Sequence, residues 1–163
     1  MYGTSPLEIM AAEAMLKGLV YLDQFTYPAV FTGATALGSL GTAQVQIQIN
    51  GDSDFICQEI DFTCFTNTTT INASLNALMT ITRAGSGREL MSQPVHIQNM
   101  AGNYWNNSVP GKLPMPGLIQ MSNVLTVTLQ NLRAQAEGRV DVAFRGFKVF
   151  YTGGDRRNIF HAL

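Results

Sequence analysis

Residues 43–50, Ala43-Gln44-Val45-Gln46-Ile47-Gln48-Ile49-Asn50, set an apolar group at every second position with a glutamine between. Side chains of an extended strand point alternately to opposite faces. The stretch therefore reads as a half-buried strand, with Val45, Ile47 and Ile49 inward and Gln44, Gln46 and Gln48 outward. Residues 124–131 (VLTVTLQN) repeat the pattern cleanly, and residues 140–151 (VDVAFRGFKVFY) repeat it around a single glycine, Gly146, which marks a bulge. Asn50-Gly51-Asp52 is a turn, and residues 55–65 form a long strand. In it Ile60 and Phe62 point inward, and Glu59, Asp61 and Thr63 point outward or are bent by a bulge. Residues 71–83 are a further extended stretch and residues 95–97 a short one. Roughly six to eight strands with closely spaced turn signals predict an all-β fold, an antiparallel β-sandwich or jelly roll.

The N-terminal segment differs. Ser5-Pro6-Leu7-Glu8 is a capping box with proline at the first helical position, followed by apolar Leu7, Met10, Ala11, Ala14 and Met15 at helical spacing. Lys17 suits the last turn and Gly18 the left-handed stop, so residues 6–17 are a short helix. A helix of that length is marginal alone and must dock on its own domain or on a neighbour. The period-two pattern begins after Tyr27-Pro28, which divides the chain into an N-terminal arm (1–26), a sandwich domain (27–151) and a tail (152–163). Residues 101–117 read as irregular, with Pro110, Pro114 and Pro116 stiffening an extended crossover.

The 163 residues fit one domain with a real core. Apolar residues make up 46%, an ordinary share, but charged ones only 13%, about half the usual share. Disorder does not explain this, since disordered chains are poor in apolar residues. Thr, Asn, Gln and Ser carry the polarity instead. A neutral polar surface is cheaper to desolvate than one of Lys and Glu, and interface cores are depleted in charge in the same way. The composition points to a subunit that packs against other subunits. A net charge of −1 with no basic stripe argues against nucleic acid as a partner. No apolar run reaches membrane-spanning length, and the N-terminus lacks the basic start of a signal peptide, so no membrane partner is expected.

Catalytic chemistry finds little support. His96 and His161 stand near no nucleophile motif, and two Cys with two His form no metal cluster, so neither an enzyme nor a cofactor is expected. Cys57 and Cys64 lie seven apart in one strand, hence on opposite faces, and read as reduced thiols made in a bacterial cytosol. Residues 50–54 (NGDSD) place oxygens at alternate positions, with Asp61 further on. The glycine and glutamate of a calcium loop are missing, so a polar turn is the better reading. Trp105, beside Tyr104, is either an exposed anchor for a partner or a glycan, or a plug for the end of the sandwich. Large aromatics are mostly buried, which favours the plug.

Three stretches carry a resemblance when taken together: INGDSDFICQEI, PGKLPMPGLIQMSNVLTVTLQNL and VDVAFRGFKVF. A charged turn before an aromatic strand, a proline-rich crossover and a terminal strand with a Gly-Phe-Lys kink resemble small β-sandwich proteins that decorate or cement the heads of tailed bacteriophages. The resemblance covers residues 28–151. It implies a virion structural protein that clamps adjacent major capsid subunits, acting as a homo-oligomer, trimer ahead of dimer. Contacts expected on this basis are Leu7, Met10 and Met15 of the helix, Gln44, Gln46 and Gln48, Trp105, and the tail residues Ile159, Phe160 and Leu163. Deleting residues 1–18 is then expected to leave a folded domain that no longer binds heads or no longer trimerises. The other classes considered are a head-fibre, tail-tip or receptor-binding module using Trp105, and a head–tail joining or tail subunit.

Overall fold

The computed structural model describes residues 5–67, 70–71, 75–83, 91, 93–103 and 111–152, with the backbone alone over 111–116. Among the described residues, eight strands follow a helix: α1 (Pro6–Leu16), β1 (Val20–Thr32), β2 (Thr42–Gln48), β3 (Asp54–Phe65), β4 (Ala77–Arg83), β5 (Val95–His96), then a one-turn helix α2 (Ile97–Met100), β6 (Gly111–Ile119), β7 (Val124–Asn131) and β8 (Arg139–Tyr151). They form two antiparallel four-stranded sheets, ordered β1-β8-β3-β6 and β2-β7-β4-β5. The pairs β1·β8, β2·β7, β3·β6 and β4·β5 nest like the rungs of one long hairpin with its tip between β4 and β5. Pairs β3·β8 and β4·β7 close that hairpin into two sheets. A long hairpin wrapped in this way is a jelly roll, the all-β sandwich that the alternating segments predict.

Between the sheets lies the main core, built from the inward residues of each strand. Phe31, Phe55, Phe62 and Phe144 are the largest fully buried side chains among the described residues, with Met79, Ile81, Leu125 and Val127 facing them. A second, smaller core sits on the outer side of the β1-β8-β3-β6 sheet. There Leu7, Ala11 and Ala14 of α1 cover Val20, Ile56 and Val149. Local chemistry defines the helix. The Glu8 N–H donates to the Ser5 hydroxyl at 3.2 Å and the Ser5 N–H donates to the Glu8 carboxylate at 2.8 Å. At its end Gly18 takes φ +67°, and the Leu19 and Gly18 N–H groups donate to the Ala14 and Met15 carbonyls, each at 2.9 Å. This is a Schellman stop, which favours glycine at its left-handed residue.

The helix thus docks on its own domain. Truncating residues 1–18 would bare Val20, Ile56 and Val149 and forfeit Leu7, whose burial alone stabilises by about 2–3 kcal/mol. Such a truncation is expected to lower the urea midpoint clearly, a loss of stability and not only of attachment. An unchanged midpoint would show that α1 does not pack as described.

Several expectations need correction. β1 starts at Val20, seven residues before Tyr27, and pairs with β8 along its whole length, so residues 20–26 belong to the sheet. Their alternation is blurred because α1 covers part of the outer side. Pro28 is tolerated within β1 because that strand is an edge, where a missing N–H breaks no ladder. Residues 111–119 are likewise a strand, β6, at the opposite edge. Its pairing with β3 is interrupted between Cys57↔Gly117 and Glu59↔Lys112, and Pro114 and Pro116 fall in that gap. The short segment after His96 turns into α2, a helix that no periodicity announces over four residues.

The bulge near Gly146 lies across from it. β3 shifts register between Cys57 and Glu59, leaving Gln58 as the extra residue opposite Gly146 and Arg145. That extra residue changes the parity of the strand. Phe55 and Cys57 face the main core before it, and Ile60, Phe62 and Cys64 face the same core after it. The two cysteines therefore share one face, against the expectation from their spacing, and both are free and buried.

Candidate interface

The outward faces of the two sheets differ in kind. On the β2-β7-β4-β5 sheet, the register sets Gln44 beside Thr128 and Thr80, and Gln46 beside Thr126 and Thr82. Thr42, Gln130, Leu78 and His96 form a third row, and Gln48 sits beside Val124. Period two dictates this arrangement: Ile47, Leu125, Val127, Leu129, Met79 and Ile81 point to the core, so the residues between them point out. Arg83 is the one charged residue in the four strands. It lies in the inward row, opposite Leu125, and its Nη1 donates to the Leu118 carbonyl at 3.2 Å. The outward rows hold no ionic side chain.

Charge collects on the other sheet and at the sandwich end. Arg145 pairs with Asp61 at 2.6 Å and Arg139 with Asp141 at 2.8 Å. Lys148 is buried, with Nζ 4.2 Å above the Phe25 ring and 3.9 Å from Asp52. Burial pushes the Asp61 carboxyl up; Arg145 opposes that shift and Glu59 adds to it. Asp54 is buried at the end of β3, where Oδ1 accepts the Met121 N–H at 2.7 Å and Oδ2 accepts the Tyr151 hydroxyl at 2.6 Å. The 50–54 stretch is thus a turn running into a strand, with its last carboxylate used to fasten β8 and the loop before β7.

Reactive groups do not converge. His96 contacts the Asn76 side-chain oxygen at 2.9 Å through Nε2, and its Nδ1 accepts the Gln98 N–H at the start of α2. Burial pushes the Cys57 thiol up to about 12, and burial together with the Glu137 carboxylate pushes Cys64 up as well. Protonated thiols are poor nucleophiles, so both cysteines are silent at neutral pH. Among the described residues, no group of three or more His, Cys, Asp or Glu could hold a metal ion, and no helix is long and apolar enough to cross a membrane.

Of the expected contact residues, Gln44, Gln46 and Gln48 are exposed, side by side on one strand face. Leu7 is buried in the chain's own second core, Met10 packs against it half-buried, and Met15 is 47% exposed. Trp105, Ile159, Phe160 and Leu163 lie outside the described residues. Sequence reasoning missed the Thr80, Thr82, Thr126, Thr128 and Gln130 rows. Alternation in 124–131 announces an outward face, but only the register shows that it continues the glutamine face of β2. Ile9 and Leu16, the latter 84% exposed, were also missed; seven residues apart, they share the solvent side of α1, while Met15 lies on its flank.

No family model matches the chain, and no curated protein matches it. Among solved structures, a chain of the cyanophage Pam1 capsid asymmetric unit is similar at a TM-score of 0.43 and 15% identity, covering 82% of this chain and 87% of that one. Dimeric latent PorU from Porphyromonas gingivalis is similar at 0.31 and 11% identity, over 78% of this chain and 13% of that one. The VP2 subviral particle of infectious bursal disease virus is similar at 0.31 and 16% identity, over 88% of this chain and 34% of that one. Likeness at this level fixes neither family nor function.

Proposed function

We propose that this chain is a non-enzymatic virion structural protein, a capsid decoration or cement subunit of a tailed bacteriophage that bridges neighbouring major capsid subunits. The observation that carries the reading is the segregation of charge: the outward face of β2-β7-β4-β5 is built mainly of glutamine and threonine, with Leu78, His96 and Val124 among them and Thr126 buried between its neighbours, and it carries no carboxylate, ammonium or guanidinium group. Covering such a face removes no charge from water, and each side chain can donate to or accept from a partner. Charge-depleted patches rimmed by polar groups are what protein contacts use. The exposed apolar groups Ile9, Met15 and Leu16 of α1 lie on the other side of the sandwich, over the β1-β8-β3-β6 sheet, and with the tail residues Ile159, Phe160 and Leu163 they are proposed as separate apolar contacts. A homo-oligomer, trimer ahead of dimer, bound to the capsid lattice, is the form in which this chain would act. The test is attachment of purified protein to heads that lack it. Wild-type protein should bind at many copies per head, and a folded Thr128→Lys variant should not. Equal binding by the two would remove the face from the reading.

A further inference from the structure

We infer that β2 is a docking edge for a second copy of this chain, pairing antiparallel with the same strand of its partner about a two-fold axis. An unpaired strand edge is a template for another chain, and proteins blunt such edges with proline, charge, bulges or short length. Three of the four edges here are blunted. β1 carries Pro28 and Asp23, β6 carries Lys112, Pro114 and Pro116 with broken register, and β5 spans two residues. β2 is the exception: Thr42–Gln48 (TAQVQIQ) has no charge, no proline and unbroken register with β7.

The direction of its backbone groups follows from the flanking bonds. The Ile49 N–H donates to the Asn123 carbonyl, and the Asn131 N–H donates to the Gly41 carbonyl, each bond closing the ladder to β7. In an antiparallel ladder bonded and non-bonded residues alternate, so Ala43, Val45 and Ile47 bond β7. Thr42, Gln44, Gln46 and Gln48 therefore turn both N–H and C=O to the open side. No other described strand pairs there. Next to it runs a groove lined by Val30, Thr35, Gln44, Val45 and Gln46, which leaves room for an approaching strand.

The occupant is argued from self-complementarity. A two-fold axis at Val45 sets Gln44 opposite Gln46 of the second copy and Thr42 opposite Gln48, so every outward N–H meets a carbonyl. Any charge on the strand would face its like or lie near it across the axis, which destabilises a sheet, and β2 has none. Facing glutamine amides can each donate and accept. An isologous contact uses up the edge and closes, so it limits assembly where an open edge would propagate it. The pairing does not rest on capsid attachment, and it favours a two-fold dimer over the trimer preferred in that reading.

Hydrogen exchange on the full-length protein, followed by residue at rising concentration, tests it. The Ala43, Val45 and Ile47 amides should be slow at every concentration, and the Gln44 and Gln46 amides should become equally slow only as the protein associates. Gln46→Pro removes a donor that β7 does not use and should halve the mass measured by light scattering. Gln46→Thr, which keeps the N–H, should leave that mass unchanged. Fast exchange at Gln44 and Gln46 in the associated protein overturns the inference. So does an unchanged mass for a folded Gln46→Pro variant.

Discussion

Gly146→Ala is expected to abolish the soluble fold. Gly146 lies in β8 between β1 and β3, paired with Phe25 on one side and Cys57 on the other. A Cβ built there would overlap the Ile56 carbonyl oxygen and stand 2.9 Å from its carbon and 3.2 Å from the Cys57 Cα. All three neighbours are backbone in the middle of a sheet, so no rotamer change relieves the clash. Either the β3·β8 ladder opens beside the Gln58 bulge or β8 shifts away from β1. Overpacking that side chains can absorb costs about 1–3 kcal/mol; here the backbone must move, so a loss of about 4 kcal/mol or more is expected. Thermal or urea unfolding of any soluble fraction measures it. A Gly146→Ala protein within 1 kcal/mol of wild type, by that same rule of thumb, would mean that the two strands do not approach as closely as described.

The second large effect is on assembly. Thr128 sits half-buried at the middle of the uncharged face, flanked by Gln44 and Thr80. In the free chain a lysine at that position can extend its ammonium into water along its methylene stem. Stability should change by less than about 1 kcal/mol, as for most surface substitutions. Once a partner covers the face, the same ammonium is buried without a counter-charge, at a cost of about 3–5 kcal/mol. Affinity should fall roughly a hundred- to a thousandfold, since each 1.4 kcal/mol is a factor of ten. Thr128→Ser, which keeps the hydroxyl, should bind as wild type. A Lys variant that folds and still assembles would show that the face meets only water.

What the sequence reveals follows the range over which each feature is encoded. The capping box of Ser5 and Glu8 and the Gly18 stop are contacts within a few residues, so α1 is legible from its own segment. β2, β7 and most of β8 are legible because one side of each faces the core and the other does not. β6 is hidden by Pro114 and Pro116, which argue against a strand until its edge position is known. The shared face of Cys57 and Cys64 is hidden by Gln58, whose extra place in β3 shows only against β8. The site divides in the same way. Gln44, Gln46 and Gln48 announce an outward neutral strand, but joining them to Thr126, Thr128, Thr80 and Thr82 takes register between segments far apart in the chain. Leu7 looked like a contact for a neighbour because a helical stripe does not say whose surface it will meet.

The central claim, that this protein acts by laying its uncharged sheet face on a neighbour, is open to one direct measurement. Cys57 and Cys64 are buried and protonated, so a maleimide at neutral pH sees only an introduced thiol. Gln130→Cys places that thiol on the outward face of β7, and Thr26→Cys places one on the exposed outward side of β1 in the other sheet. Both should label rapidly in the free protein. In assembled particles the account predicts that position 130 becomes protected while position 26 still labels. Labelling at 130 that persists in the particle, with 26 protected instead, would contradict it.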